Sequence, residues 1–187
     1  MENLASLTDQ EIIDACLSGN ENAFAEIIRR YEPRVAATII GMLGRCPEAE
    51  DVGQETFIRF YKSMSKFRGE SSLSTYLTRI AMNLSINELN RRKRQSRFVP
   101  LDDPEISRKT SGDSRNQADS ESGAIIRRAV TQLAPKFRSI IVLRLIEGYS
   151  TEETAQILQL PVGTVLSRLA RAKAQLMDLL TPYKELI

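Results

Sequence analysis

The chain has 187 residues, 42% of them hydrophobic and 27% charged, and its formal net charge is +2. This length suffices for one ordinary domain or two small ones, and the composition is typical of globular proteins. The sequence contains no histidine, which removes the commonest general base and metal ligand and argues against an enzyme. Because the net charge is small, any nucleic-acid site must come from local clusters of Lys and Arg.

Neither end of the chain nor its interior predicts a membrane segment. Residues 1–10 have neither a basic region nor an apolar core, so no secretory signal is expected. The apolar run Ile140–Ile146 is short and contains Arg144, so it cannot span a bilayer. Two widely separated cysteines fit a reducing cytosol. We therefore expect a cytoplasmic protein without membrane insertion.

Apolar residues recur at spacings of three and four through most of the chain, which predicts an all-α fold. Four helices are expected in the N-terminal part. Pro33 is expected to kink or divide the second, because proline lacks the backbone donor and clashes with the preceding turn. The predicted bounds of the four helices are Thr8–Leu17, Asn20–Leu43, Glu48–Ser65 and Ser74–Arg94.

The third predicted helix has two different faces. Asp51 and Glu55 are like charges one turn apart, which is mildly unfavourable in an isolated helix. Two explanations remain open: attraction of acidic residues to the helix N-terminal dipole, or an acidic docking surface for a basic partner. Arg59 and Lys62 share this polar face, and the opposite face is expected to form core through Thr56, Phe57, Phe60, Tyr61 and Met64.

The fourth predicted helix carries an unusual polar stripe opposite its core face. Asparagine is a poor helix former, so three asparagines on one stripe are a cost without a local benefit. Asparagine side chains can read base edges and arginines can hold phosphate, although a solvated helical face is the alternative. The stripe consists of Arg79, Asn83, Asn87, Asn90 and Arg94, and a basic patch follows at Arg91, Arg92, Lys93, Arg94 and Arg97, whereas the expected core residues are Leu73, Tyr76, Leu77, Ile80, Ala81 and Leu84.

From about residue 95 to residue 122 the chain is rich in Ser, Asp, Arg and Pro and poor in large apolar residues. Such a segment cannot bury a core and is too long for a tight connection. The sequence therefore predicts two small helical domains joined by a flexible linker. The predicted bounds are 1–95 for the first domain, 96–121 for the linker and 122–187 for the second domain.

The second domain ends in a predicted helix-turn-helix. Ser150 and Glu153 form a capping box, and Gln159-Leu160-Pro161 makes a short break between helices Thr151–Leu158 and Val162–Leu180. The last helix has an apolar stripe on one side and a polar stripe on the other. Hydroxyl and guanidinium groups on the second helix of such a motif suit major-groove bases and phosphates. An ordinary amphipathic hairpin with a solvated face is the alternative. The apolar stripe is Val165, Leu169, Ala172 and Leu176, and the polar stripe is Thr164, Ser167, Arg168, Arg171 and Gln175.

Three stretches of the sequence resemble one protein family. Residues 149–173, YSTEETAQILQLPVGTVLSRLARAK, look like region 4 of the extracytoplasmic-function (ECF) sigma factors of bacterial RNA polymerase. Residues 50–57, EDVGQETF, match the family's region 2.2, and residues 67–73, FRGESSL, resemble its specificity loop. The resemblance covers nearly the whole chain in the order region 2, linker, region 4. Two positions depart from the family pattern, because Leu166 replaces the usual Lys or Arg and Gly53 replaces a larger residue.

The resemblance implies a sigma factor that directs promoter recognition, promoter melting and transcription initiation, in a stress or envelope response. Its partners would be core RNA polymerase, through the β′ clamp helices and the β subunit, promoter DNA, and an anti-sigma factor able to hold it at the inner membrane face. No catalytic residue, metal or cofactor is implied. The implied polymerase-binding residues are Asp51, Gln54, Glu55, Phe57, Ile58, Arg59 and Lys62. The residues implied for the −10 element are Phe67, Arg68, Arg79, Asn83 and Asn87. The residues implied for the −35 element lie within Thr151 to Ala170 and just beyond it, and they are Thr164, Ser167, Arg168, Arg171 and Lys173.

Three other functions can be weighed from the residues. A helix-turn-helix regulator that is not a sigma factor would need a receiver or ligand domain, and no α/β pattern is present. A helical adaptor without a DNA role leaves the Arg79–Arg94 stripe unexplained. A helical enzyme lacks histidine and any clear catalytic cluster.

Overall fold

The computed structural model describes residues 4–98, 121–184 and 186. Every regular element in these residues is helical, which confirms the all-α prediction. A π-helical turn, Val142–Ile146, continues the sixth helix without a break. In chain order the helices are α1 (Asp9–Leu17), α2 (Glu21–Leu43), α3 (Pro47–Ser63), α4 (Leu73–Phe98), α5 (Glu121–Gln132), α6 (Pro135–Ile141), α7 (Thr151–Leu158) and α8 (Val162–Leu180).

The N-terminal domain is a bundle of α1 to α4 around one apolar core. The α1 helix begins at a capping box, in which Thr8 N donates to Glu11 Oε2 at 2.7 Å and Glu11 N donates to Thr8 Oγ1. The α2 helix crosses the middle of the bundle and contacts α1, α3 and α4. Fully buried side chains from all four helices meet there, among them Ile12, Ile27, Ile39, Met42, Phe60 and Leu77.

The predicted division of the second helix at Pro33 is wrong, because α2 runs without interruption from Glu21 to Leu43. Pro33 itself is exposed, while Ile27 on one side of it and Val35 on the other are buried in the core. Packing of both halves against the same core therefore outweighs the hydrogen bond that the proline removes.

The α4 helix extends to Phe98, four residues beyond the expected end at Arg94. Residues 96–98 and Glu121, which the composition predicts to be part of the linker, are instead helical and belong to α4 and α5. The remainder of the predicted linker, residues 99–120, lies outside the described residues.

The C-terminal domain, α5 to α8, contains the predicted helix-turn-helix with the predicted bounds. The capping box is present: Glu153 N donates to Ser150 Oγ at 3.0 Å, and Ser150 N donates to Glu153 Oε2 at 2.7 Å. Gln159 ends α7 with φ of 53°, a left-handed conformation that turns the chain sharply before Pro161. Val165 and Ala172 are fully buried on the inner side of α8, as the apolar stripe predicts.

The two domains pack against each other. The α4 helix contacts α6 and α7, and α2 contacts α5, α6 and the π-helical turn. Buried residues of both domains form one continuous core. No helix in the described part of the chain is long and apolar enough to cross a membrane.

Gly53 lies in the middle of α3, where glycine is about 1 kcal/mol less favourable than alanine. A Cβ at this position would meet only Ile39 Cδ1, at an ordinary contact distance of 3.9 Å. We therefore expect Gly53→Ala to raise the free energy of unfolding by about 0.5–1 kcal/mol, measured by urea denaturation of the full chain. A loss of stability would show that the backbone of α3 needs glycine there.

Candidate nucleic-acid and partner-binding surfaces

One surface lies on the outer side of α3 and is named here the α3 docking surface. Glu55 is half-buried and accepts a hydrogen bond from Arg59 Nε at 2.7 Å. Acidic side chains occupy the N-terminal half of this surface and basic ones the C-terminal half, so it presents two patches of opposite charge. Exposed Ile58 provides apolar area between them. The surface consists of Asp51, Gln54, Glu55, Ile58, Arg59 and Lys62.

Two aromatic residues of α3 differ from their expected positions. Phe57, one of the residues predicted to bind polymerase, is 8% exposed and packs in the core. It therefore lies beneath the α3 docking surface and is not part of it. Tyr61, expected in the core, is 60% exposed and meets Phe24 edge-on at 5.0 Å. Tyr61, which the apolar periodicity predicts in the core, thus adds an aromatic ring next to the α3 docking surface.

A second surface follows the outer side of α4. Asn83, Asn87, Asn90 and Arg94 are all exposed, as their spacing predicts. Asn87, Asn90 and Arg94 line a shallow groove together with Lys93. Amide groups spaced one turn apart, with cations at one end, offer both donors and acceptors to bases and positive charge to phosphates.

The N-terminal end of this surface is an aromatic and cationic cluster. Phe67 meets Tyr76 edge-on at 5.2 Å, and the guanidinium carbon of Arg79 lies 5.0 Å from the centre of the Tyr76 ring. Ser63 and Tyr76 are joined by a hydrogen bond of 3.2 Å between their hydroxyl oxygens. Tyr76, which the sequence placed only in the core, therefore positions Phe67 and Arg79, while Arg68 remains exposed.

The basic patch at the C-terminal end of α4 is partly neutralised within the protein. Arg91 and Arg92 both donate to Glu88, at 2.7 Å and 2.8 Å, and the hydrogen bond from Arg91 is the main cause of the lowered pKa of Glu88. Arg92 also reaches the α3 N-terminus, where it donates to Glu48 at 3.2 Å and to Cys46 Sγ at 3.1 Å. Arg92 therefore joins α4 to the start of α3, whereas Arg91 pairs with Glu88 within α4. The side chain of Arg97 is outside the described set.

The third surface is the outer side of α8. Ser167 and Arg171 are exposed on this side, with Thr164 and Arg168 half-buried on one flank. Lys173 is exposed but lies nine residues from Thr164, which places it on the opposite flank at 3.6 residues per turn. Ser167 Oγ donates to the carbonyl of Thr164 at 3.1 Å, so its lone pairs remain available to accept.

Small and apolar residues cover the N-terminal end of the same surface. Leu166 is 52% exposed and Val162 is 42% exposed, one turn apart. A Cβ added at Gly163 would have no neighbour within 4 Å among the described residues. Leu166 therefore does not pack in the protein interior, and this part of α8 is accessible to a large partner.

Potential metal-ligating side chains are scattered over the described residues of both domains. Within them, no group of three or more Cys, Asp or Glu side chains is arranged to hold a metal ion. Cys16 and Cys46 are both half-buried free thiols. What the three surfaces offer is recognition: charge complementarity, amide donors and acceptors, and aromatic rings.

Comparisons with known proteins fit this arrangement. Residues 27–95 match the model of Sigma-70 region 2, and residues 123–176 match the model of Sigma-70, region 4. The RNA polymerase sigma-H factor of Pseudomonas aeruginosa is 32% identical over 182 residues, covering 93% of this chain and 94% of that protein. The ECF RNA polymerase sigma-E factor of Haemophilus influenzae is 33% identical, covering 94% of this chain and 97% of the relative.

Two solved structures share the arrangement of both domains. The sigma factor RpoE of Bartonella quintana, crystallised with the anti-sigma factor NepR, matches with a TM-score of 0.69 and 25% identity over 84% of this chain and 96% of that one. CnrH, in complex with the cytosolic domain of CnrY, matches with a TM-score of 0.66 and 25% identity over 93% of this chain and 97% of that one. Matches to both regions do not favour a helix-turn-helix regulator of another kind. The chain belongs to the ECF sigma factors of RNA polymerase and directs transcription initiation.

Proposed function

We propose that the chain binds core RNA polymerase through the α3 docking surface and reads the two promoter elements with α4 and α8. The observation that carries this proposal is the stripe of exposed asparagines along α4, which costs helix stability and which contacts with bases would explain. The polymerase contact would be made by the β′ clamp helices, with the acidic half of the docking surface facing basic groups. A further contact to the β subunit is expected.

The −10 element would be held by α4 and the loop before it. Phe67, Arg79 and Tyr76 already form a packed cluster, so an unstacked base could add to it by stacking at little conformational cost. Asn83 and Asn87 lie one turn apart on the exposed side and can donate to and accept from base edges. Exposed Arg68 is suited to a phosphate of the same strand.

The −35 element would be held by the helix-turn-helix. The second helix of such a motif enters the major groove with its N-terminal residues at the base edges. In α8 these residues are Thr164, Ser167 and Arg168, and Arg171 follows one turn after Ser167. Lys173 lies on the other flank, where it can reach only a phosphate.

The chain itself would carry out no chemical step in this mechanism. Binding energy that favours melted −10 bases over duplex bases shifts the opening equilibrium towards the open promoter. The −35 element stays double-stranded when the promoter melts, so the binding energy of that contact does not change. The −35 contact therefore only holds the polymerase in place. We infer that the chain acts in the cytoplasm, where its polymerase is found, in a stress or envelope response.

An anti-sigma factor is also proposed as a partner. The two structural relatives described above were solved as complexes, one of them explicitly with an anti-sigma factor. Such a partner could hold the chain inactive at the inner membrane face until a signal releases it.

The experiment that tests the proposed function is transcription in vitro with purified core polymerase and a genomic promoter library. The full chain should start transcription at a defined subset of promoters, and initiation mapping should then reveal both elements. An absence of specific initiation, with no inhibitor present, would contradict the proposal.

Leu166 allows a test of the −35 contact. Because Leu166 is exposed, the substitution Leu166→Arg should leave folding unchanged and add one contact to a phosphate or base of the −35 DNA. We expect the holoenzyme to bind a −35 duplex roughly fivefold more tightly and its salt dependence to steepen by about one unit of slope. Binding is measured by fluorescence anisotropy at several salt concentrations.

The matched control is Met177→Arg, which adds the same charge to an exposed position of α8 far from its N-terminal half. An equal gain from both variants would indicate unspecific attraction. Weaker binding with Leu166→Arg alone would indicate that Leu166 contacts a thymine methyl group in the major groove, and unchanged binding would contradict the added contact.

A further inference from the structure

The α8 helix carries a line of exposed apolar residues, named here the apolar line. Val162 is 42% exposed and Leu166 is 52% exposed, and Ala170 is exposed one turn further on. Residues four apart lie on the same side of a helix, so these three side chains follow one another along α8. The fully buried Val165 and Ala172 lie about a third of a turn away from them. The apolar line is therefore not part of the domain core.

The apolar line lies beside an open part of the helix. A Cβ at Gly163, the residue after Val162, would have no neighbour within 4 Å among the described residues. Ser167, the residue after Leu166, is exposed as well. Two adjoining sides of α8 are thus uncovered over its first two turns. This end of the helix is accessible to a broad partner surface such as a DNA groove.

The charges of α8 indicate which kind of partner fits this end. Arg168 is half-buried and Arg171 is exposed, and both lie on the far side of Ser167 from the apolar line. Duplex DNA exposes base edges in a groove that is flanked by phosphates, so it can contact an apolar line and nearby cations together. An apolar groove on a protein would use only the line. The combination therefore favours duplex DNA as the occupant.

The major groove presents one apolar group, the C5-methyl group of thymine. The side chains of Val162 and Leu166 have no donor or acceptor, so a hydrogen-bonding base edge placed against them would lose water without gaining a partner. Contact with a methyl group instead removes apolar surface of both partners from water. Cytosine has only a hydrogen at the same ring position, so the apolar line should distinguish thymine from cytosine.

We propose that Leu166, together with Val162 and Ala170, determines part of the −35 specificity by contacting thymine methyl groups. This inference rests on the proposed function, because it assigns a base to a helix that the proposed function only places in the major groove. It also gives a role to Leu166, the position at which α8 departs from the family pattern. The −35 element that the chain selects should carry thymine where the apolar line meets the groove.

Deoxyuridine tests this contact, because it differs from thymidine only in lacking the methyl group. The probe is a labelled duplex with the −35 element that initiation mapping identifies, and its thymines are replaced by deoxyuridine one at a time. We expect the wild-type holoenzyme to bind at least one of these duplexes about two- to fivefold more weakly than the thymine duplex, measured by fluorescence anisotropy. Leu166→Ala should weaken binding to the thymine duplex by a similar factor and bring the ratio between the two duplexes close to one. Its salt dependence should be unchanged, because no charge is lost.

Two further variants are controls. Leu166→Met keeps an apolar side chain of similar size and should retain the dependence on the methyl group. Met177→Ala removes a still more exposed apolar side chain, near the C-terminal end of α8, and should also retain it. Leu166→Arg exchanges the methyl contact for a charged one, so its affinity should no longer depend on the methyl group even where it is higher. Circular dichroism and urea denaturation check that each variant folds.

A wild-type holoenzyme that binds the −35 duplex specifically, but does not distinguish thymine from deoxyuridine at any position, would overturn the inference and leave the proposed function intact. Full methyl dependence in Leu166→Ala would also overturn it, because another residue would then make the contact. Weaker binding of Leu166→Ala to core polymerase, with unchanged DNA binding, would assign the apolar line to a protein partner and overturn it as well. An absence of specific duplex binding by the wild-type holoenzyme would contradict the proposed function, and the inference with it.

Discussion

Replacing both Asn83 and Asn87 with alanine is expected to make the protein more stable and much less active. Alanine is about 0.5 kcal/mol better than asparagine at each exposed helix position, so the free energy of unfolding should rise by about 1 kcal/mol. If each amide reads a base of the −10 element, each loss costs about 1–3 kcal/mol of binding. Open-complex formation by the holoenzyme should therefore fall by about thirtyfold or more.

Stability is expected to rise while activity falls, so misfolding of the variant could not produce the predicted result. Stability is measured by urea denaturation, and activity by binding of the holoenzyme to a single-stranded −10 oligonucleotide and by run-off transcription. Asn22→Ala, an exposed position near the start of α2, serves as the control and should leave activity unchanged. A stabilised double variant with full activity would mean that the stripe is only a solvated helical face.

Replacing Arg138 with methionine is expected to lower the free energy of unfolding by about 3–5 kcal/mol, because several buried carbonyls lose a charged donor at once. Methionine keeps much of the side-chain volume, so packing loss contributes little. Burial lowers the pKa of Arg138 to about 10, so the guanidinium stays charged near neutrality and the loss should be the same at pH 6 and pH 8.

Chemical denaturation of the full chain measures this effect. Arg128→Met, an exposed position on α5 of the same domain, is the control and should change stability by less than about 0.5 kcal/mol. A loss below about 1 kcal/mol with Arg138→Met would show that water reaches the carbonyls of Met42 and Leu133 when the side chain is shortened.

The positions of the exposed candidate residues followed from helical periodicity alone. Once α3, α4 and α8 are helices, residues three and four apart must share a side, so Asn83 and Asn87 on α4, and Ser167 and Arg171 on α8, are exposed together. Phe57 is the exception, because it belongs to the core face of the same helix that carries the α3 docking surface. Which of these side chains bind DNA or polymerase stays a prediction.

The helical class and the bounds of the helix-turn-helix could be read from the sequence because local signals set them, and the family could be read from three stretches that resemble its known regions. Ser150 and Glu153 start α7 through hydrogen bonds between residues three apart, and Gln159 to Pro161 end it and start α8. Such signals depend only on neighbouring residues, so they can be read without knowledge of the fold.

How the two domains meet, and which polar residues are buried between them, could not be read from the sequence. Thr78 and Tyr149 are 71 residues apart, and Arg138 and Met42 are 96 apart. Periodicity identifies one apolar side for each helix and assigns Thr, Ser and Arg to the surface. Their burial instead depends on partners far away in the chain, such as an unpaired carbonyl at the end of α2 or the space left by Gly41.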